Sequence, residues 1–204
     1  MITYSFLLGV SAGLFSIVAW SIYMLGILRK RTRPNRATWS ILTLLGILVL
    51  FSYYDGGARD TIWVAVAYVV GPFLTAILSI FYYGEGGWTS FDKKCLSAVT
   101  VCFILWLYFR IFIPQIALPI LIISLAIDFV GLLPTIKKSW KDPEFENPPA
   151  WLFESLASLL NLFAVTTWVW SIDSFSIWIY PVYLAIVNII IAALLFTGKY
   201  RIKT

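Results

Sequence analysis

Two acids stand inside long apolar stretches of this 204-residue chain, Asp128 and Glu154. An Asp at the centre of a bilayer costs about 2.5–3.5 kcal/mol on the insertion scale, so such residues are the leads to function. Ser124 precedes Asp128 by one helical turn and shares its face. No Lys or Arg lies inside any apolar stretch, and the chain has no histidine. Asp128 is therefore expected to lack an ion-pair partner and to be able to load and unload a proton, the requirement for proton coupling. Glu154 forms one helical stripe with Trp151, Ser158 and Asn161. It is either a second proton-coupling group or an ordinary acid near a helix N-terminus. Asn188, close to mid-depth, suits a solute or a neighbouring helix. Trp20, Tyr68 and Tyr183 are also near mid-depth, as stacking surfaces or as packing. The substrate-binding candidates are thus Asp128, Asn161, Asn188, Ser124, Ser158, Trp20, Tyr68 and Tyr183.

The elements that position these groups follow from composition. Apolar residues make up 61% of the chain, charged residues only 12%, and mean hydropathy is +0.89. A water-soluble globule of this size cannot hide so much apolar surface, and a disordered chain is poor in it. Without histidine there is no Ser-His-Asp or Cys-His pair and no imidazole metal site. Cys95 and Cys102 are too far apart along one helix for a disulfide and have no metal-ligand company. Gly9-Val10-Ser11-Ala12-Gly13 spells a nucleophile elbow but lies inside an apolar stretch. It reads better as small-residue helix packing through Gly9 and Gly13. The chain is read as a non-enzyme with no cofactor and no metal. An all-α integral membrane protein is expected. Its seven spans are Ser5–Leu28, Ala37–Tyr54, Thr61–Tyr83, Cys95–Phe109, Pro114–Ile136, Ala150–Trp170 and Phe175–Thr197.

Thirteen of the fifteen Lys and Arg fall on one side of these spans, leaving only Arg59 and Arg110 on the other. That side is expected to be cytoplasmic, with the N-terminus outside and the C-terminus inside, in the plasma (inner) membrane. The net charge of +5 is then topogenic, and no nucleic-acid partner is expected. Met1–Tyr4 lacks a basic n-region, so no signal cleavage is expected. Aromatic belts are expected from Trp39, Tyr82, Tyr83, Trp140 and Trp151 at the cytoplasmic ends. Tyr4, Tyr53, Tyr54, Trp63, Trp106, Tyr108, Trp168, Trp170, Trp178 and Tyr180 do the same at the outer ends. Pro72, Pro134 and Pro181 each remove a helix hydrogen bond and are candidate hinges.

Spans one to three can be laid on spans five to seven. Leu25-Gly26-Ile27-Leu28-Arg29-Lys30 matches Leu133-Pro134-Thr135-Ile136-Lys137-Lys138, placing Ser16 on Ser124. Trp39 falls on Trp151; Trp63, Tyr68 and Phe81 fall on Trp178, Tyr183 and Phe196 at one constant offset. Three helices reverse the chain, and a fourth restores its direction. The expected layout is two parallel triple-helix bundles joined by a linker helix (3+1+3): residues 1–92, 93–113 and 114–204.

This layout resembles the SWEET carriers and their PQ-loop relatives. Asp128-Phe129-Val130-Gly131-Leu132-Leu133-Pro134-Thr135 resembles the Asp-x-x-Gly…Pro-Gln stretch of the PQ-loop members. Thr135 replaces Gln, and Gly26 stands where the first triplet would have Pro. The resemblance implies a membrane carrier that moves a small polar solute by alternating access, with Asn188 lining the pocket. Phe73 takes the matching place in the third span. Under the repeat the C-terminal half supplies polar groups and the N-terminal half aromatics, which suits a solute with a polar and a flat or apolar part. The alternative is a receptor or complex subunit on the same bundle, as the KDEL receptor is. A homo-oligomer is compatible with either.

Overall fold

A computed structural model describes residues 3–113 and 116–201. The side chains of Tyr82, Tyr83, Pro134 and Lys199–Arg201 lie outside that description, as do residues 1–2, Pro114 and Lys203, so expectations about these side chains and residues are not addressed. The described chain is helical: α1 (Tyr4–Leu28), α2 (Arg36–Asp55), α3 (Ile62–Leu78), α4 (Ser90–Phe109), α5 (Ala117–Lys141), α6 (Pro148–Phe163) and α7 (Ile172–Arg201). A π-helical turn, Ser79–Tyr83, extends α3, and a 3-10 turn, Pro143–Phe145, precedes α6. Five helices are long and apolar enough to cross a membrane: α1, α2, α3 with its extension, α5 and α7.

The other two depart from expectation for local reasons. α4 begins at Ser90, before the expected Cys95, because Thr89 and Asp92 form a reciprocal capping box that starts the helix in polar sequence. α6 ends at Phe163, not Trp170. After the C-cap Ala164 come Val165, Thr166 and Thr167, and β-branched side chains lose rotamer freedom in a helix. Its 16 residues rise about 24 Å at 1.5 Å each, less than a hydrocarbon core.

Packing inverts the usual distribution. Ser16, Thr75, Ser124, Asp128, Glu154, Ser158, Asn161 and Asn188 are buried, whereas Leu7, Ile17, Val70, Ile104 and Ile189 face outward. α3 lies against α1 and α2, and α7 against α5 and α6. Across the middle, α1 packs on α6 and α2 on α5; α4 lies outside against α2 and α5. Gly9 and Gly13 do serve helix packing. A Cβ on Gly9 would overlap the Asp60 carbonyl, and one on Gly13 would stand 2.8 Å from Trp63 Cβ.

Two paired elements have matching starts. Asn35 caps α2 by accepting from Thr38 N–H, and Asn147 caps α6 by accepting from Ala150 N–H. Each Asn stands four residues before a tryptophan, Trp39 and Trp151. Asn147 Nδ2 also donates to the Ile22 carbonyl at 3.1 Å, beside Gly26. A side chain at Gly26 would strike Asn147 and Thr32, which explains glycine there.

Candidate functional site

The polar groups of α1, α5, α6 and α7 meet in the interior. Glu154 Oε1 accepts from Ser16 Oγ at 2.8 Å, across the contact between α1 and α6. Its other oxygen, Oε2, is buried without a hydrogen bond. The Trp20 indole N–H is close to Glu154 but outside hydrogen-bond geometry, and it too is buried without a partner. An unmet buried polar group costs about 1–3 kcal/mol, so two together call for an explanation. Ser158 Oγ donates to the Glu154 carbonyl at 2.7 Å, and Asn188 Nδ2 donates to Ser158 Oγ at 2.7 Å. Asp128 Oδ2 accepts from Tyr183 OH at 2.5 Å. Neither Asp128 nor Glu154 enters an ion pair among the described residues.

Aromatic rings enclose Glu154. Trp20 meets Trp39 at 5.5 Å and 87°, Tyr68 at 5.8 Å and 77°, and Tyr23 at 6.1 Å and 74°. With Trp151, Ala19, Ala150 and Glu154, these rings line a cavity of about 20 Å³. Gly71 makes this possible, because a Cβ there would occupy the space of the Trp20 ring.

Towards the basic end lies a vestibule of about 160 Å³, lined in part by Arg33, Asn35, Thr38, Lys138 and Glu146. Tyr23 and Trp39 line both spaces and form the partition between them. Charged groups tie the loops around the vestibule. Arg33 pairs with Glu85 at 2.9 Å and Lys138 with Glu146 at 3.2 Å, while Lys138 Nζ also donates to the Arg33 carbonyl. Trp151 Nε1 donates to Glu146 Oε2 at 3.3 Å, linking this belt to the cavity wall. Burial pushes the Glu146 carboxyl up, against the opposing pull of Lys138 and the Trp151 hydrogen bond. A raised carboxyl favours the folded state while protonated. That contribution is lost as pH climbs from the unfolded value, about 4.3, through the raised folded one. The melting temperature of the wild type relative to Glu146→Gln is therefore expected to fall as pH rises across that window. Parallel melting curves at every pH would contradict it.

In comparisons with known proteins, no family model, no curated protein and no solved structure matches the chain. Function has to be argued from the residues themselves.

All eight substrate-binding candidates and Glu154 lie in the interior, with Tyr183 only partly buried. Among the described residues, four direct links join them: Asp128 to Tyr183, Asn188 to Ser158, Ser158 to the Glu154 carbonyl, and Trp20 to Tyr68. Ser124 Oγ and both amide atoms of Asn161 are buried without a hydrogen bond. Asn161 is two residues from the end of α6, not central in it. The cavity is walled by Glu154, not by Asp128, Asn161 or Asn188. Phe73 is 50% exposed and no part of the aromatic wall.

Several belt assignments are corrected. Trp39, Tyr53, Trp106, Trp151 and Tyr180 are buried, while Tyr4, Tyr108 and Trp170 are exposed. Trp106 turns inward because its indole donates to Asp55 at 3.1 Å. Tyr53 does so because its hydroxyl donates to the Ile177 carbonyl at 2.8 Å. Trp39 and Trp151 belong to the site. The signal for them was their shared place in the repeat. Ser16 carried a similar signal, as the repeat partner of Ser124.

Proposed function

We propose that the chain is a membrane carrier moving a small polar solute by alternating access, a seven-helix protein of the SWEET and PQ-loop kind. The observation that carries this reading is the vestibule stacked on an inner cavity, with Tyr23 and Trp39 between them. A carrier needs an enclosed site and a removable barrier on one side of it.

The helix neighbours support the 3+1+3 layout of residues 1–92, 93–113 and 114–204. Exchanging α1 with α5, α2 with α6 and α3 with α7 maps the main helix contacts onto themselves: α1–α3 becomes α5–α7, α2–α3 becomes α6–α7, and α1–α6 becomes α2–α5. α4 then serves as the linker outside both triplets. In this reading the basic end is cytoplasmic, the N-terminus is outside and the membrane is the plasma (inner) membrane. Pro72 and Pro181 interrupt α3 and α7, the helices that lie between the other two of each triplet. Bending at Pro72 would shift Tyr68 and Gly71, the supports of Trp20 in the cavity wall, while leaving the contacts between triplets intact. Asp128, held by Tyr183 and free of any ion pair among the described residues, is the group through which transport couples to a proton.

Uptake by proteoliposomes tests the proposal. A proton gradient is expected to accelerate uptake, and Asp128→Asn to reduce the gradient-driven rate by about tenfold or more, through loss of the group that carries the proton. Unchanged binding and pH-dependent flux in Asp128→Asn would refute coupling through it. If no solute moves under any gradient, the carrier reading fails and a receptor or complex subunit takes its place.

A further inference from the structure

Resting on the carrier reading only for how a ligand arrives, we propose that Glu154 and the rings of Trp20, Trp39, Trp151, Tyr23 and Tyr68 form a site for the ammonium group of a small primary amine. Four observations converge on this chemistry.

The first is the unfilled half of the carboxyl group. Ser16 occupies Oε1, while Oε2 is buried, unpartnered and on a residue that lines the cavity. An ionised carboxylate offers only acceptors. In that state Oε2 takes a donor, and a buried anion with no cationic side chain is balanced best by a cationic donor.

The second is the wall. The planes of Trp39, Tyr68 and Tyr23 stand at 74–87° to that of Trp20. These are T-shaped contacts, and the four rings together with Trp151 line the cavity. Aromatic faces carry negative charge in their quadrupole and attract cations, tryptophan most strongly.

The third is size. About 20 Å³ holds roughly one water molecule. An ammonium group is of that order; its alkyl tail has to pass the Tyr23–Trp39 partition into the vestibule of about 160 Å³, so the partition must open for the amine to bind. A sugar ring is too large, and the walls offer few polar atoms for its hydroxyls.

The fourth concerns the opposite charge. No Lys or Arg lines the cavity, so an amino acid's carboxylate has nothing to pair with there. An amine without that group suits the site better.

A hydroxyl is the competing occupant, because the neighbouring Trp20 N–H is a donor that ammonium cannot use. Ethylammonium and ethanol, nearly equal in shape, separate the two. The full chain in detergent micelles is titrated with each, and tryptophan fluorescence is read, with sodium chloride as the ionic control. The expected result is a saturable change with ethylammonium only. Glu154→Gln, checked for native circular dichroism, is expected to weaken it at least about tenfold through loss of a charge-assisted pair. The proposal is overturned if wild type gives no saturable response to ethylammonium, if ethanol acts equally well, or if folded Glu154→Gln binds like wild type. The wild-type selectivity needs no variant, so it stands even where Glu154→Gln does not fold. Because binding is read instead of flux, a chain that binds ethylammonium and transports nothing sinks the carrier reading and supports this one.

Discussion

Gly71→Ala is expected to destabilise the protein by about 3 kcal/mol or more, at or beyond the upper end of overpacking costs. The sign is the informative part. Inside a helix, Gly to Ala ordinarily stabilises by about 1 kcal/mol. At Gly71 the new methyl would fall on the ring atoms Cγ, Cδ2 and Cε2 of Trp20. These are the rigid core of the indole, not the far end of a flexible chain. Trp39, Tyr68 and Tyr23 stand within 6.1 Å of the ring between centroids, so it can give way only towards the cleft between α1 and α3 that Trp20 and Gly71 both line. Displacement of Trp20 would break its contacts with these rings and bring its indole away from Glu154. Thermal unfolding in detergent reads the stability, and the ethylammonium response reads the cavity. Gly87→Ala is the control, since a Cβ there has nothing within 4 Å. A melting temperature for Gly71→Ala equal to or above that of wild type would show that Trp20 is not seated on α3.

How far the sequence anticipated this arrangement depends on what each residue's signal was. Asp128 and Glu154 were legible because hydrocarbon penalises ionisable groups wherever the helices turn, and both are buried. Asn188 and Ser158 were legible for the same reason, and they bond to each other. Trp39 and Trp151 were not. Near the end of an apolar stretch, a tryptophan has the same sequence signature whether it faces headgroups or a neighbouring helix. Only the crossing of α1 with α6 and of α2 with α3 decides that these two turn inward. Glu146 was hidden more deeply, in Asp142-Pro143-Glu144-Phe145-Glu146-Asn147-Pro148-Pro149, which reads as a structured turn leading into the sixth span. Its burial depends on the Pro143–Phe145 turn and on Lys138 reaching it from α5. The end of α6 was misplaced because the predominantly apolar content of Ala150–Trp170 masked a β-branched run with low helix propensity. Within Ala150–Trp170 Asn161 would stand near the centre, whereas it is two residues from the end of α6. Polar content thus located the site, while ring orientation and loop closure, which set its shape, came from tertiary contacts.

Trp39→Ala is expected to join the vestibule to the inner cavity. Trp39 is buried and faces both spaces, with only Tyr23 beside it in the partition, their ring centroids 5.3 Å apart. Removing a buried tryptophan costs about 3–5 kcal/mol of stability, so the variant has to be compared where it is still folded. Access is read by thiol labelling. In a chain with Cys95→Ser and Cys102→Ala, Ala19→Cys places a thiol in the cavity wall. A charged methanethiosulfonate reagent coming from the basic side then meets it through the partition. With Trp39 intact, labelling waits for a local opening; without it, the rate is expected to rise by about tenfold or more because that opening is no longer needed. General loosening would mimic this result, which makes a second position necessary. Ala12→Cys lies in the fully buried part of α1 beside Gly13, outside the cavity lining. Its labelling should stay slow in the same Trp39→Ala background. Acceleration at both positions would mean that the variant has merely softened the bundle. Acceleration at neither would mean that Tyr23 alone keeps the cavity shut. Acceleration at Ala19→Cys alone would identify Trp39 as the movable barrier that an alternating-access cycle requires on the basic side.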